Sequence, residues 1–363
     1  MGWLNSYSTA AARTDRFRDR RDHLLLLAAG MLGEAGSILA EIKKMKREAK
    51  AYPGYRQRLM EELGDFLWYY VRLAAQCDSR ILNGLPAAST AGPRLQVNIG
   101  LALDLGSAVG QVLHLVQKKQ SSELKTALKI VWAKLLAVAE RAGINLEEAS
   151  RENLAKIQSR WPAKKIFHPL FDEDCPAEEQ IPRNLTVEFL ARSRGRRVEV
   201  LLRCNNLIVG DRITDNIPDS DGYRYHDIFH FAYAVFLGWS PVVRALLRCK
   251  RKSDPAADEN QDGARAIIIE EAVSAIVFSR AKEMRFFKDA NQVDYDLLKS
   301  IQEFVRGYEV DQVPLWQWEM AILEGYRVFR LLRSGPGGQV TWDRRRHTLD
   351  WAPMREPKEA KGV

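Results

Sequence analysis

RQRLMEELGDFLWYYVRLAAQC, residues 56–77, is the stretch that determines the fold class of the first half of this chain. Its apolar residues recur every three or four positions, which is the repeat expected for one face of an α-helix. Residues 22–50 show the same repeat, and the helix-breaking pair Pro53-Gly54 separates the two stretches. The sequence therefore predicts two consecutive amphipathic helices that can pack against each other.

The remainder of the first half continues this helical pattern. Asn145 is a typical N-cap residue, and Glu148 three positions later completes a capping box for the last helix. We expect residues 1–165 to form an all-α helical bundle. The further predicted helices span about 95–119, 122–142 and 146–160.

The second half has a different pattern. Two β-rich stretches, 185–192 and 197–203, flank a short polar turn and predict a β-hairpin. We expect residues 180–335 to form a mostly helical C-terminal domain with this small β-hairpin. The Gly-, Arg- and Pro-rich residues 336–363 are expected to form a flexible tail, so the fold class is mainly α. The helices predicted in this half span about 224–237, 241–250, 263–288, 294–308 and 314–333.

The composition is that of a soluble globular protein. The chain has 363 residues, of which 46% are hydrophobic and 28% are charged, so disorder of the whole chain and a fibrous structure are excluded. No uninterrupted apolar run approaches the roughly 20 residues of a membrane span, and the N-terminus lacks the apolar core of a secretory signal. The four cysteines are widely spaced and form no CxxC pair. We therefore expect reduced thiols, a cytoplasmic location and no membrane partner.

The net charge of +8 is unevenly distributed. The whole positive excess lies in the first 165 residues, where it forms either a surface that attracts phosphate groups or an ordinary solvated surface. The chain shows no RNP-like aromatic pattern and no helix-turn-helix signature. We therefore rank a nucleic-acid partner below a nucleotide.

Four of the carboxylates on the two central helices have spacings that suit a shared site. Glu62 and Asp65 are three positions apart and share a helix face, and Glu34 and Glu41, seven positions apart, also share one. If the helices pack antiparallel, three or four of these carboxylates converge. Like charges repel there, and a hard divalent cation such as Mg²⁺ relieves the repulsion and also binds substrate phosphates. The pattern indicates a Mg²⁺-dependent phosphoryl site; the alternative is surface carboxylates paired with neighbouring Lys and Arg residues.

Four segments of the first half carry a resemblance to a known family. They are LNSYSTAAART (4–14), GEAGSILAEIKK (33–44), EELGDFLWYYVRLA (61–74) and NLEEASRENLAKIQSRWP (145–162). In this order and spacing they resemble the MazG-like, all-α nucleoside triphosphate pyrophosphohydrolases over about residues 3–162. The second half resembles the C-terminal domain that accompanies some MazG-like proteins.

The resemblance implies an enzyme that hydrolyses a nucleoside triphosphate between its α- and β-phosphates, giving a nucleoside monophosphate and pyrophosphate. It implies Mg²⁺, or Mn²⁺ in its place, held by Glu34, Glu62 and Asp65. It also implies a homodimer or a higher homo-oligomer. The residues that it implies for substrate binding are Asn153, Lys156 and Arg160, with Trp68 or Tyr69 as a ring that either stacks on the base or packs in the core.

One departure from the family pattern concerns the first metal-binding helix. The family usually has EExxE there, whereas this chain has Gly33, Glu34 and Ser37 at the corresponding positions. Either Glu41, one turn further along, compensates as a fourth catalytic carboxylate, or the first domain binds nucleotide without cleaving it. The second alternative describes a nucleotide-sensing or regulatory protein with a degenerate site.

A second group of ionisable residues occurs in the C-terminal half. His226 and His230 are one helical turn apart with Asp227 between them, a spacing that suits a transition metal. Glu270 and Glu271 lie in an otherwise apolar helix, where acids need a metal, an arginine or a histidine as a partner. A metal site formed from these residues would place metal-dependent chemistry in the C-terminal domain. The alternative is an internal ion-pair network with neighbouring arginines.

Overall fold

The computed structural model describes residues 2–86, 97–195 and 197–354. These residues fall into two compact units, the first ending at Ala163 and the second beginning at Lys164. Each unit has its own hydrophobic core. The mainly α fold class is confirmed, because helices form the described regular structure of the first unit and most of that of the second.

The described part of the first unit is an all-α bundle. Its helices are α1 (Gly2–Thr14), α2 (His23–Glu48), α3 (Tyr55–Asp78), α4 (Ile99–Lys118), α5 (Ser121–Ala142) and α6 (Leu146–Arg160). The predicted central pair, α2 and α3, packs together, and α4 and α5 add their apolar faces to the same core. The predicted cap of α6 is confirmed, since the side chain of Asn145 accepts hydrogen bonds from the N–H groups of Glu147 and Glu148.

Glycine at position 64 allows α3 and α6 to approach closely. A Cβ atom on Gly64 would lie 2.7 Å from the carbonyl oxygen of Ala149 and 3.0 Å from Cβ of Asn153. A larger residue at position 64 would therefore push α6 away from α3. The close contact keeps the polar side chains of α6 within hydrogen-bonding distance of α3.

A buried ion-pair network fixes the connection between α1 and α2. The Asp15 carboxylate accepts a hydrogen bond from Nε of Arg72 at 2.9 Å and lies 2.9 Å from Nε2 of His23. The backbone N–H of Phe17 donates to the same carboxylate. Because Asp15 and Arg72 are buried, losing one of them would leave an uncompensated charge in the core. The network thus helps to hold α1 against α3.

The second unit contains one antiparallel sheet with the strand order β3-β2-β1-β4-β5. Its strands are β1 (Asn184–Arg194), β2 (Arg197–Cys204), β3 (Leu207–Ile213), β4 (Gly337–Asp343) and β5 (Thr348–Ala352). The predicted hairpin is confirmed as β1 and β2, which pair directly. The helices of this unit lie between β3 and β4 in the chain. They are α7 (Asp227–Phe236), α8 (Pro241–Leu247), α9 (Pro255–Asn260), α10 (Ala264–Glu283), α11 (Tyr295–Val305) and α12 (Leu315–Ser334).

The prediction of a flexible tail is wrong for residues 337–352, which form β4 and β5. Val340 and Trp342 of β4 are fully buried, whereas Thr341 between them is exposed, which is the alternation of a half-buried strand. A Cβ atom on Gly337, whose φ is +99°, would lie 2.0 Å from the carbonyl oxygen of Phe189 in β1. The glycine that suggested flexibility is therefore required by a close strand contact. Residues 355–363 of the predicted tail lie outside the described residues.

A cluster of buried charges ties β4 to the start of the second unit. The Asp172 carboxylate accepts hydrogen bonds from the guanidinium groups of Arg183 at 2.6 Å, Arg244 at 3.1 Å and Arg344 at 3.0 Å. The backbone N–H of Ile181 donates to it at 2.8 Å. Arg344 directly follows β4, so this cluster anchors the end of that strand.

Two helical segments are long and apolar enough to cross a membrane by length and composition alone, His23–Ala51 and Ile99–Lys118. The bent pair Tyr223–Phe236 and Pro241–Leu247 is a third candidate if it is counted as one span. The first segment contains no long uninterrupted apolar run, because polar residues such as Glu34 interrupt it. The absence of a membrane partner stays a prediction.

Candidate functional site

Three carboxylates of the first unit converge between α2 and α3. Glu34 comes from α2, and Glu62 and Asp65 come from one face of α3. One carboxylate oxygen of each residue lies within 4.8 Å of those of the other two. All three residues are partly buried, so the group remains open to a ligand. A donor set made only of carboxylate oxygens fits a hard divalent cation such as Mg²⁺.

Asp65 is held in place from α6. Both of its carboxylate oxygens lie 2.5 Å from Nζ of Lys156, and Nδ2 of Asn153 donates to Oδ1 at 2.6 Å. Lys156 also forms an ion pair with Glu61 at 3.4 Å. The ammonium group contacts the carboxylates directly, which shows that positive charge is favoured at this position.

Two residues of the site were not predicted from the sequence. Tyr7 donates from its hydroxyl group to Oδ1 of Asn153 at 2.8 Å, so α1 orients the amide that holds Asp65. This contact joins residues 146 positions apart, and no local pattern indicates it. The position of Glu61 could have been predicted from its spacing, because it lies four positions before Asp65 and therefore on the same face of α3.

The packing of these carboxylates raises the pKa of Glu34. Burial is the largest cause, and the negative charges of Asp65 and Glu62 add to it, so that the pKa is about 8 instead of 4.5. Burial also raises the pKa of Asp65, although Lys156 and Asn153 oppose the rise. Without a cation the carboxylates therefore hold an extra proton at neutral pH, because their repulsion is otherwise uncompensated.

The pKa of Glu34 predicts a pH dependence of stability in cation-free buffer. Because the pKa is about 8 in the folded chain and near 4.5 in the unfolded chain, only the folded chain holds this proton between those values. The stabilising contribution is complete below about pH 4.5 and is lost as the pH rises towards 8. Denaturant unfolding in EDTA should show this loss in the wild type and a smaller loss in Glu34→Gln. Equal losses in both proteins would contradict the assignment.

Glu41 and Trp68 both make contacts within the protein. The Glu41 carboxylate accepts a hydrogen bond from the hydroxyl group of Tyr52 and does not join the three converging carboxylates. Seven residues of helix rise about 10 Å, so a shared face does not bring Glu41 to the position of Glu34. Trp68 is only 7% exposed and donates from Nε1 to Oγ1 of Thr14 at 2.9 Å, so its ring packs in the core, which is one of the two alternatives that the sequence left open.

The remaining predicted substrate residues lie near the carboxylates but make contacts within the protein. Arg160 follows Lys156 by one turn of α6, and its guanidinium group stacks over the ring of Trp161 at 4.6 Å. The Tyr69 ring packs so closely on α2 that a Cβ atom on Gly30 would lie 2.2 Å from Cε1 of the ring. Roles of these residues in nucleotide binding stay predictions.

A second cluster lies at the start of α7 in the second unit. His226, Asp227 and His230 each place one ligand atom within 4.8 Å of those of the other two. Glu271 of α10 faces both imidazoles, with Oε1 3.4 Å from Nε2 of His230 and Oε2 3.9 Å from Nε2 of His226. Glu270 lies on the other side of His230, with Oε1 2.8 Å from Nδ1. The structure thus separates two adjacent glutamates that the sequence could not distinguish.

The alternative ion-pair network is not formed by Arg224, the arginine nearest to this cluster in sequence. Its guanidinium group pairs with Asp215 at 2.6 Å. Within the described residues, the ion pairs of the three acids in the cluster are with its two histidines. Burial lowers the pKa of His226. Burial also opposes the charge on His230, but the two glutamates outweigh it and raise the pKa of His230 to about 10.

Comparisons with known proteins match the second unit to a family. The model of the MazG C-terminal domain matches residues 166–355. The Gene 37 protein of Mycobacterium phage L5 is 37% identical over 62 residues, which cover 16% of this chain and 54% of the phage protein. The chain thus spans about half the length of this curated relative. No solved structure matches the chain.

The family match includes the sheet, the buried charge cluster around Asp172 and the histidine cluster at the start of α7. It covers more than half of the 363 residues. The chain therefore belongs to the MazG-like family that carries the MazG C-terminal domain.

Proposed function

We propose that the first unit hydrolyses nucleoside triphosphates between the α- and β-phosphates, with Mg²⁺ or Mn²⁺ as its cofactor. The observation that carries this proposal is the convergence of Glu34, Glu62 and Asp65 to within 4.8 Å. Membership of the MazG-like family supports a nucleotide hydrolase. A hard divalent cation held by carboxylate oxygens binds substrate phosphates at the same time, which suits this donor set.

The chain's own residues prepare the site for a triphosphate. Asn153 and Lys156 hold the carboxylate of Asp65 beside those of Glu34 and Glu62. Lys156 and Arg160, one helical turn apart, supply positive charge for the phosphate oxygens. A bound divalent cation would neutralise the triphosphate and lower the pKa of the attacking water.

A screen of nucleotides tests the proposed reaction. Each common nucleoside and deoxynucleoside triphosphate is incubated with the full-length protein and Mg²⁺ or Mn²⁺, and pyrophosphate and the monophosphate are measured. We expect both products from at least one nucleotide and none in EDTA. Glu62→Gln should lower the rate at least about 100-fold, because it removes one anionic ligand with little change in size.

Glu147→Gln is the matched control for this screen. Glu147 is a half-buried glutamate in the first turn of α6 that pairs with Arg151 at 3.6 Å and is not one of the three converging carboxylates, so its replacement should leave the rate unchanged. Release of orthophosphate and a nucleoside diphosphate would contradict cleavage between the α- and β-phosphates. Absence of pyrophosphate with every nucleotide would contradict the enzyme assignment.

A second candidate function is nucleotide binding without turnover. It is favoured by the lack of a carboxylate at Ser37, by the engagement of Glu41 with Tyr52, and by the contact of Lys156 with both oxygens of Asp65. These features reduce the negative charge available to a cation. In the same screen, this function would give a thermal shift with nucleotide and Mg²⁺ but no pyrophosphate.

We also propose that the protein self-associates through its first unit, as the family resemblance implies. Three of its helices expose large apolar side chains, namely Leu24 and Leu25 of α2, Leu103 of α4 and Ile130 of α5. Exposed apolar surface of this kind marks interaction sites when it is contiguous. Light scattering should give a mass of at least twice the monomer mass of 41.4 kDa. Replacing Leu103 and Ile130 by glutamine should lower the measured mass towards that of the monomer. A monomer at micromolar concentration would contradict self-association.

A further inference from the structure

The histidine cluster of the second unit contains an unsatisfied nitrogen. Nε2 of His230 is buried and has no hydrogen-bond partner among the described residues. The nearest carboxylate oxygen, Oε1 of Glu271, lies 3.4 Å away, which is beyond the usual range of a hydrogen bond. Buried polar side-chain atoms in proteins are nearly always satisfied, so a ligand is expected where this nitrogen points. Asp227 and His226 each contribute an atom to the same group, and Nε2 of His226 lies 3.7 Å from Oδ1 of Asp227.

The other nitrogen of each imidazole is already engaged. Nδ1 of His230 lies 2.8 Å from Glu270, and Nδ1 of His226 lies 3.0 Å from the carbonyl oxygen of Tyr223. The ring of Tyr223 stacks on that of His226 with 4.4 Å between centroids. A bound metal would displace the proton from Nε2. An imidazole that donates from Nδ1 to such an acceptor then presents the lone pair of Nε2 to the cluster, which is the usual arrangement of histidine metal ligands.

Glu270 has the position of a group that orients a ligand and does not itself bind the metal. Its carboxylate is fully buried and accepts hydrogen bonds from Oγ of Ser240 at 2.6 Å and from the N–H of Val242 at 2.8 Å, in addition to His230. Glu271, by contrast, keeps 41% of its side chain exposed and faces Nε2 of both histidines. One side of the cluster therefore remains open to solvent.

We propose that His226, Asp227, His230 and Glu271 bind a divalent first-row transition metal, in a site separate from that of the proposed nucleotide hydrolysis. Three carboxylates, including that of Glu270, surround two imidazoles, and this excess of negative charge favours a cation. Mixed imidazole and carboxylate donors suit Zn²⁺, Fe²⁺ or Co²⁺, whereas the oxygen-only set of the first unit suits Mg²⁺.

Binding of Zn²⁺ and of Co²⁺ to full-length protein tests this site. The measurements are calorimetry with Zn²⁺ and visible absorption with Co²⁺, whose bands report nitrogen ligands. They are made in an Asp65→Asn background, which weakens binding at the first unit. We expect one equivalent of metal. Glu271→Gln and His226→Gln should weaken its binding at least about tenfold, and Glu270→Gln should weaken it about 10- to 100-fold by freeing the ring of His230.

His168→Gln is the matched control, since His168 belongs to the same unit and its ring contacts the carbonyl oxygen of Pro169 outside the cluster. It should bind metal as tightly as the background protein. The partly exposed Glu271 keeps the test informative if the more buried histidine variants unfold. Absence of bound Zn²⁺ and Co²⁺, or equal affinity in Glu271→Gln and the background protein, would overturn the proposal, whether or not the first unit hydrolyses nucleotides.

Discussion

Asp65→Asn is expected to slow pyrophosphate release about 100- to 1000-fold. Asparagine preserves the size of the side chain and one acceptor oxygen, but it removes the negative charge that Asp65 shares with Glu34 and Glu62. A divalent cation supplies several kcal/mol of charge stabilisation in a phosphoryl site. Because each 1.36 kcal/mol corresponds to a factor of about ten in rate, the loss of one of the three proposed anionic ligands should have an effect of this size.

Steady-state kinetics at varied Mg²⁺ concentration measure this effect. The variant should need more Mg²⁺ for half-maximal rate, because its donor set carries less charge. Asp104→Asn is the matched control, since Asp104 also pairs with a lysine, Lys134, at 2.8 Å but on the exposed surface of α4. Its rate should equal that of the wild type. Equal rates for Asp65→Asn and the wild type would rule out Asp65 as a ligand.

Asp172→Asn is expected to destabilise the second unit by about 3–5 kcal/mol. Burial alone would raise the pKa of Asp172, but the guanidinium groups of Arg344, Arg183 and Arg244 outweigh it and lower the pKa below its ordinary value. Asparagine at position 172 removes the negative charge with which the three guanidinium groups pair. Arg344 is fully buried and pairs with Asp172 at 3.0 Å, so the variant leaves its positive charge uncompensated in the core, whereas Arg244 keeps a second ion pair with Asp262 at 3.5 Å.

Hydrogen exchange of the β1 and β4 amides measures this loss, because it reports the opening of the second unit without assuming two-state unfolding of the whole chain. Asp258→Asn is the control in the same unit. Asp258 pairs with the exposed Lys252 at 2.6 Å, and such surface pairs contribute about 1 kcal/mol or less. Protection that falls equally in both variants would show that burial of the Asp172 cluster adds nothing to stability.

Much of the first unit could be predicted because its signals are local. The apolar repeat of residues 56–77 predicted α3, and the three-residue spacing of Glu62 and Asp65 placed both carboxylates on one face. The same reasoning failed for Glu41, because a shared helix face says nothing about distance along the axis. Local spacing also did not indicate Tyr7, because its hydroxyl group contacts Asn153 only when α1, α3 and α6 are packed together.

In the second unit, too, contacts between neighbouring segments were predicted from the sequence and contacts between distant segments were not. The hairpin of β1 and β2 was predicted because its two strands are adjacent in sequence. β4 was not, because its partner β1 lies about 150 residues earlier and its glycines are typical of a loop until that pairing is known. The contact of Asp172 with Arg344 spans 172 positions in the same way.

The sequence by itself determined the helical class of this protein, the hairpin, and the residue types of two candidate sites, because helical and strand repeats and the spacings of ionisable residues are set within a few neighbouring residues. Only the tertiary structure decided that Glu34 joins Glu62 and Asp65 while Glu41 does not, and that Glu271 faces the histidines while Glu270 orients one of them. These outcomes depend on how whole helices pack, and packing depends on side chains far apart in the chain.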